Sequence, residues 1–179
     1  MDDSKSAKKG LIIVYTGNGK GKTTAALGQA IRAAGHGMKS CFIQFIKGSW
    51  HYGELNAVKH FEDTIDLHVS GKGFTWKSDN LEEDRAIAQQ GWQLAQAAIH
   101  SGKYDLVFLD ELTYLISYKF IDLQDVIKTL SEKPAYLHVV ITGRKAPPEL
   151  IEMADLVTEM KVVRHPLKVG VKAQKGVEF

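Results

Sequence analysis

Apolar and polar positions along this chain follow two periods in alternation. Short runs rich in β-branched and aromatic residues recur at Leu11–Tyr15, Ser40–Ile46, Tyr104–Leu109 and His138–Thr142. Their length and near-continuous apolar character predict strands buried on both faces. Ile65-Asp66-Leu67-His68-Val69 alternates as a half-exposed strand does, and Leu156–Val163 is expected as the last strand. Helical spacing fills the intervals. Ala25–Ala34 and Glu54–Phe61 read as helices. Ile87, Gly91, Leu94 and Ala98 fall on one face of a long helix reaching about His100, with Asp79 as its cap and Glu82 three positions on. Leu123, Val126, Ile127 and Leu130 mark a helix capped by Asp122, and Pro147 and Pro148 open a short one ending near Ala154. Strands alternating with helices predict an α/β fold with a mostly parallel sheet covered on both faces. Such sheets bind ligands at the carboxyl ends of their strands.

One of those ends carries chemistry. The run Thr16-Gly17-Asn18-Gly19-Lys20-Gly21-Lys22-Thr23-Thr24 stands between the first strand and the first helix. A glycine-rich turn there lets successive backbone N–H groups face an anion, and the helix N-terminus adds partial positive charge. Lys22 is expected to reach phosphate oxygens and the Thr23 hydroxyl to hold Mg²⁺ (or Mn²⁺). The pattern departs from G-x-x-x-x-G-K-[ST] in having Thr16 first and a second lysine, Lys20, inside the loop. The glycine spacing does not fit the dinucleotide fingerprint. The expected ligand is a nucleoside triphosphate.

Composition adds bounds. At 179 residues the chain is expected to form one domain, residues 1–179, with 1–9 a flexible N-terminal segment. A net charge of +2 gives no nucleic-acid footprint. The single cysteine, Cys41, lies in an apolar run and reads as a small core residue. No stretch has the length of a membrane span, and the lysine-rich start lacks the apolar core of a signal peptide, so a cytoplasmic protein with no membrane partner is expected.

Other strand ends add candidates. Leu106–Leu109 runs into Asp110 and Glu111, a Walker-B-like pair that can complete a Mg²⁺ shell beside Thr23. Thr142-Gly143-Arg144-Lys145 follows another strand, and Arg144 can clamp a phosphate. Two loops, Lys47–Gly53 and Ser70–Trp76, combine glycines with large aromatics, suited either to a flat apolar second substrate or to anchoring on the core. His36 is expected to cap the end of the first helix. Lys161, Arg164, Lys168, Lys172 and Lys175 make the C-terminal segment basic. The chain has no Cys/His cluster and no Gly-x-Ser-x-Gly elbow.

Taken in order, these motifs resemble those of the ATP:cob(I)alamin (corrinoid) adenosyltransferases of bacterial cobalamin synthesis and salvage. The resemblance rests on Thr16–Ala26, Arg32-Ala33-Ala34-Gly35-His36-Gly37 and Gln44-Phe45-Ile46-Lys47-Gly48. It continues through Gly73-Phe74-Thr75-Trp76, Leu109–Tyr114, Ile141–Arg144 and Gly170–Gly176. It implies a RecA-like P-loop fold in which ATP binds through Gly17, Asn18, Gly19, Lys20, Gly21, Lys22, Thr23, Thr24 and Arg144. It implies that cob(I)alamin attacks the 5′ carbon of ATP and expels inorganic triphosphate, so the substrate supplies the nucleophile and the protein positions ATP and neutralises the leaving group. Lys22, Thr23 and Arg144 would carry that work, and Thr23, Asp110 and Glu111 the metal. Phe74 and Trp76 would pack on the lower face of the corrin and displace its axial ligand. A homodimer, and a flavoprotein or ferredoxin-type electron donor, are further implications. The residues by themselves also permit a RecA-like nucleoside kinase or a DNA-dependent ATPase.

Overall fold

The computed structural model describes residues 9–47, 52–70 and 81–178. Its strands are β1 (Ile12–Thr16), β2 (Ser40–Gln44), β3 (Ile65–Val69), β4 (Leu106–Asp110), β5 (His138–Thr142) and β6 (Leu156–Glu159). They form one sheet in the order β3-β2-β4-β5-β1-β6, and every neighbouring pair is parallel. The helices are α1 (Lys22–Ala34), α2 (Gly53–Val58), α3 (Leu81–His100), α4 (Leu112–Ser117), α5 (Leu123–Ser131) and α6 (Pro148–Met153). Single 3₁₀ turns occupy Lys59–Phe61 and Pro166–Val169.

The strand period of two divides the core. Ile13, Phe42, Phe108 and Val140 point to one face, where Ala26, Ala30 and Ala33 of α1 and Val58 of α2 cover them. Phe42 and Phe108 stack there with ring centroids 5.0 Å apart, and each full burial contributes about 1.5–3 kcal/mol. The alanines of α1 have no side chain beyond Cβ, which lets the helix lie close over those rings. Val14, Ile43, Val107, Leu109 and Ile141 point to the opposite face, under Trp92 and Ala95 of α3, Leu112 of α4, Val126 of α5 and Leu150 of α6. Cys41 is fully buried on this side, as its apolar run predicts, and burial pushes its thiol up to about 12.

The element bounds differ from the sequence expectation in instructive places. α1 begins at Lys22, three residues early, because Gly21 in a left-handed conformation turns the chain directly into the helix without a side-chain cap. β2 stops at Gln44, the last residue in register with both Val69 of β3 and Asp110 of β4, although Phe45 N still donates to Asp110 O at 3.2 Å. β6 ends at Glu159, four residues short of the predicted end, because Met160 bends onto the phosphate loop. α4 has no predicted counterpart. Asp122 caps α5 as expected, accepting from Gln124 N at 2.9 Å, whereas the expected cap Asp79 lies outside the described residues. At the end of α1 it is the backbone amide of His36 that bonds back, to Ala33 O at 2.9 Å.

Candidate active site

β1, β4 and β5 end side by side, and β5 separates the strand that feeds the phosphate loop from the strand that carries the acidic pair. The loop itself is held from one side. Met160 N donates to Thr16 O at 2.8 Å, and Gly19 N donates to Met160 O at 2.6 Å. A Cβ on Gly17 or Gly19 would stand 2.5 or 2.7 Å from that carbonyl oxygen, so this close approach alone demands glycine at both positions. Thr16, the departure from the general motif, is the last residue of β1; its hydroxyl accepts from Ala146 N at 3.2 Å and ties the loop to the segment after β5.

Lys22 is buried and donates to Gly17 O at 2.9 Å and Gly19 O at 2.6 Å, so its ammonium is folded into the loop's own carbonyls. Burial, and then the charge of Arg144, hold its pKa below the ordinary lysine value; Glu111 and Asp110 oppose this. Thr23 donates to Asp110 Oδ1 at 2.9 Å. The two halves of the expected metal set, on α1 and β4, are thereby joined.

Asp110 is almost wholly buried at the tip of β4. Burial raises its pKa, while hydrogen bonds from Thr142 and Thr23, the charge of Lys47 and a weak contact from Gln44 stabilise the carboxylate. Thr142, at the tip of the intervening β5, bridges the gap: its hydroxyl donates to Asp110 Oδ1 at 2.7 Å and accepts from Glu111 N at 2.8 Å. Glu111 is held at φ 63, a left-handed conformation unusual for a residue with a side chain. Burial, and then repulsion from Asp110, push its carboxyl up to about 7.

A cavity of about 530 Å³ opens above these groups, walled by the loop from Gly19 to Thr24, by Glu111 and Arg144, and by Lys47. Asn18 is exposed at the loop's crest, outside the lining. The backbone oxygen of Arg144 accepts from Thr113 of α4 at 2.7 Å. Gly143 before it has φ 144, and a Cβ there would stand 2.0 Å from Thr113 Oγ1. Phe74 and Trp76 lie outside the described residues.

Thr142, Gln44 and Lys47 belong to this site although the motif reading assigned them no role. The local signal for Thr142 is that it closes an apolar strand; its place beside the acidic strand end comes from the strand order. Lys47 pairs with Glu54, lies 4.3 Å from the centroid of the Tyr52 ring, and feels both carboxylates.

The donor set fits a hard divalent cation. It offers the Thr23 hydroxyl and the Asp110 and Glu111 carboxylates. Gln44 Oε1, buried beside Asp110, has no hydrogen-bond partner among the described residues and can accept from a hydrated ion. No group of three or more His, Cys, Asp or Glu that could hold a metal occurs among the described residues. Mg²⁺ takes one or two carboxylates and completes its shell with water and substrate phosphates.

The family model for ATP:corrinoid adenosyltransferase BtuR/CobO/CobP matches residues 8–179. The chain is 46% identical over 178 residues to the corrinoid adenosyltransferase of a Sinorhizobium species, covering 98% of this chain and 83% of that one. It is 44% identical over 172 residues to the corrinoid adenosyltransferase of Escherichia coli, covering 96% and 87%. Corrinoid adenosyltransferase CobA of Salmonella typhimurium is 42% identical over 172 residues, with the same coverage. In fold the chain is similar to the flagellar accessory protein FlaH of Methanocaldococcus jannaschii, with a TM-score of 0.55 at 10% identity, over 84% of this chain and 70% of that one.

Proposed function

The chain belongs to the ATP:corrinoid adenosyltransferase family and is an enzyme that transfers an adenosyl group; from that premise we propose how its residues divide the work. The cobalt of cob(I)alamin, or of a related corrinoid, attacks the 5′ carbon of ATP. The Co–C bond forms as the C–O bond to the α-phosphate breaks, and the electron pair leaves with inorganic triphosphate. The nucleophile arrives with the substrate, so the chain needs no activated serine, cysteine or general base. Its contribution is placement and charge.

Lys22 exchanges the carbonyls of Gly17 and Gly19 for phosphate oxygens. The loop from Gly17 to Thr24 supplies backbone N–H groups, apart from that of Gly19, which donates to Met160 O, and Arg144 approaches the triphosphate from the tip of β5. Thr23, Asp110 and Glu111 hold Mg²⁺, which supplies compensation for the leaving group's charge. Phe74 and Trp76 serve the corrinoid by packing against its lower face in place of the axial ligand; this rests on sequence resemblance. A homodimer in the cytoplasm completes the reading, with a flavoprotein or ferredoxin-type donor supplying the electron that takes the corrinoid cobalt from Co(II) to Co(I). Among the described residues no helix is long and apolar enough to cross a membrane.

The observation that carries the site assignment is the hydrogen bond from Thr23 to Asp110, which places the phosphate-loop hydroxyl against the acidic strand end. The test mixes the protein, Mg-ATP and chemically reduced cob(I)alamin. The expected outcome is the adenosyl-cobalt spectrum with one inorganic triphosphate per transfer. Appearance of ADP in place of triphosphate would instead mark a kinase.

A further inference from the structure

One ion pair in the cavity has no part in the reaction just described. Lys20, inside the phosphate loop, pairs with Glu178, 158 residues away in the chain. Val177 N and Glu178 N both donate to Gln174 O, at 3.2 and 2.9 Å, and this turn sets Gly176, Val177 and Glu178 against the same cavity as Lys22 and Arg144. The Glu178 side chain retains only 14% of its exposure, against 52% for Lys20. A carboxylate is therefore drawn out of solvent into a site lined by Lys20, Lys22 and Arg144, where the reaction requires a highly charged anion.

We propose that Glu178 is a tethered counter-ion for the phosphate loop, one that yields Lys20 to incoming ATP and reclaims it as inorganic triphosphate leaves. The proposal rests on the phosphate-site reading above. Its logic is competition. Inorganic triphosphate retains all the phosphate contacts of ATP, so a loop built to neutralise it is also built to retain it. A carboxylate on the same chain competes at an effective concentration of about millimolar, undiminished by dilution. It weakens ground-state binding of substrate and product alike, and so shortens the residence of the product.

The experiment titrates sodium tripolyphosphate into the full chain by calorimetry, for the wild type, Glu178→Gln, Lys20→Ala, the double variant and Lys22→Ala. A partly exposed ion pair is closed by a small margin, so removing its carboxylate is expected to tighten tripolyphosphate binding about two- to fivefold. The gain should disappear in the Lys20→Ala background. Thermal melting of Glu178→Gln should match the wild type, since the substitution lies in a surface turn. Unchanged or weaker binding by Glu178→Gln, with Lys22→Ala still abolishing binding, would overturn the counter-ion role and leave the phosphate site standing. A gain that persists undiminished without Lys20 would also overturn it. Tripolyphosphate binding that survives Lys22→Ala would instead sink the phosphate-site reading, and this proposal with it.

Discussion

Replacing Thr142 with valine tests the idea that a single hydroxyl at the tip of β5 organises the acidic pair. Valine keeps the shape of threonine, so no cavity term enters. Two hydrogen bonds are lost. The Glu111 N–H, which reaches the hydroxyl at 2.8 Å, is left without that acceptor at a cost of about 1–3 kcal/mol. Asp110, almost wholly buried, loses its 2.7 Å donor, and a bond to a charged group contributes about 1.5–3 kcal/mol. The two losses share one site and are not additive, so the expected destabilisation is about 2–4 kcal/mol. In a chain of this length about 3 kcal/mol lowers Tm by roughly 6–12 °C. Urea unfolding and calorimetric melting measure it, with Thr142→Ser as the variant that keeps the hydroxyl and should stay near the wild type. A second consequence is functional: Glu111, freed from its left-handed anchor, should require more Mg²⁺ for half-maximal turnover. Stability of Thr142→Val within about 0.5 kcal/mol of wild type, with an unchanged metal titration, would refute the reasoning.

Other expectations follow from the same geometry. At φ 63, Glu111→Gly should unfold at higher urea than Glu111→Ala by about 1 kcal/mol, while both lose metal-dependent activity. Lys22→Ala should lower kcat by on the order of 10²–10³ with melting retained; near-normal turnover would remove Lys22 from the site. Phe74→Ala with Trp76→Ala should damage turnover started from Co(II) cobalamin and a flavoprotein more than turnover from preformed cob(I)alamin; an equal fall in both would end the ligand-displacement role. Asp155 accepts from Lys9 at 2.5 Å and from Ile12 N at 2.9 Å, which hold its carboxyl below the ordinary value. Its stabilisation is present above the unfolded carboxyl pKa and lost as pH falls through the folded one. The stability gap between wild type and Asp155→Asn, followed by urea unfolding, should therefore be full near neutrality and close below about pH 4.

Much of this architecture was legible because it is written in local patterns. The apolar runs of β1, β4 and β5, the small-residue helix behind Lys22 and the acid pair after Leu109 are each short-range signals, and the parallel sheet follows from their alternation. What escaped depends on residues distant in sequence. Nothing local says that β5 is inserted between β1 and β4, and without that insertion Thr142 has no reason to meet Asp110. α4 escaped for a local reason: Leu112-Thr-Tyr-Leu-Ile-Ser is rich in β-branched and aromatic residues, and its cap, Glu111, contributes no side-chain hydrogen bond. The early end of β6 was invisible because Met160 leaves the strand to meet glycines more than a hundred residues upstream.

That contact changes what the phosphate-loop motif means as a portable unit. Gly17 and Gly19 are required by the carbonyl of Met160, so part of the signature records a neighbour and not a ligand. Grafting Thr16–Thr24 alone into another α/β scaffold would import glycines whose reason for being there had been left behind, and would lose the bond from Gly19 N to Met160 O that orders them. The smallest transplantable piece is discontinuous: the loop together with β6 and its exit at Met160.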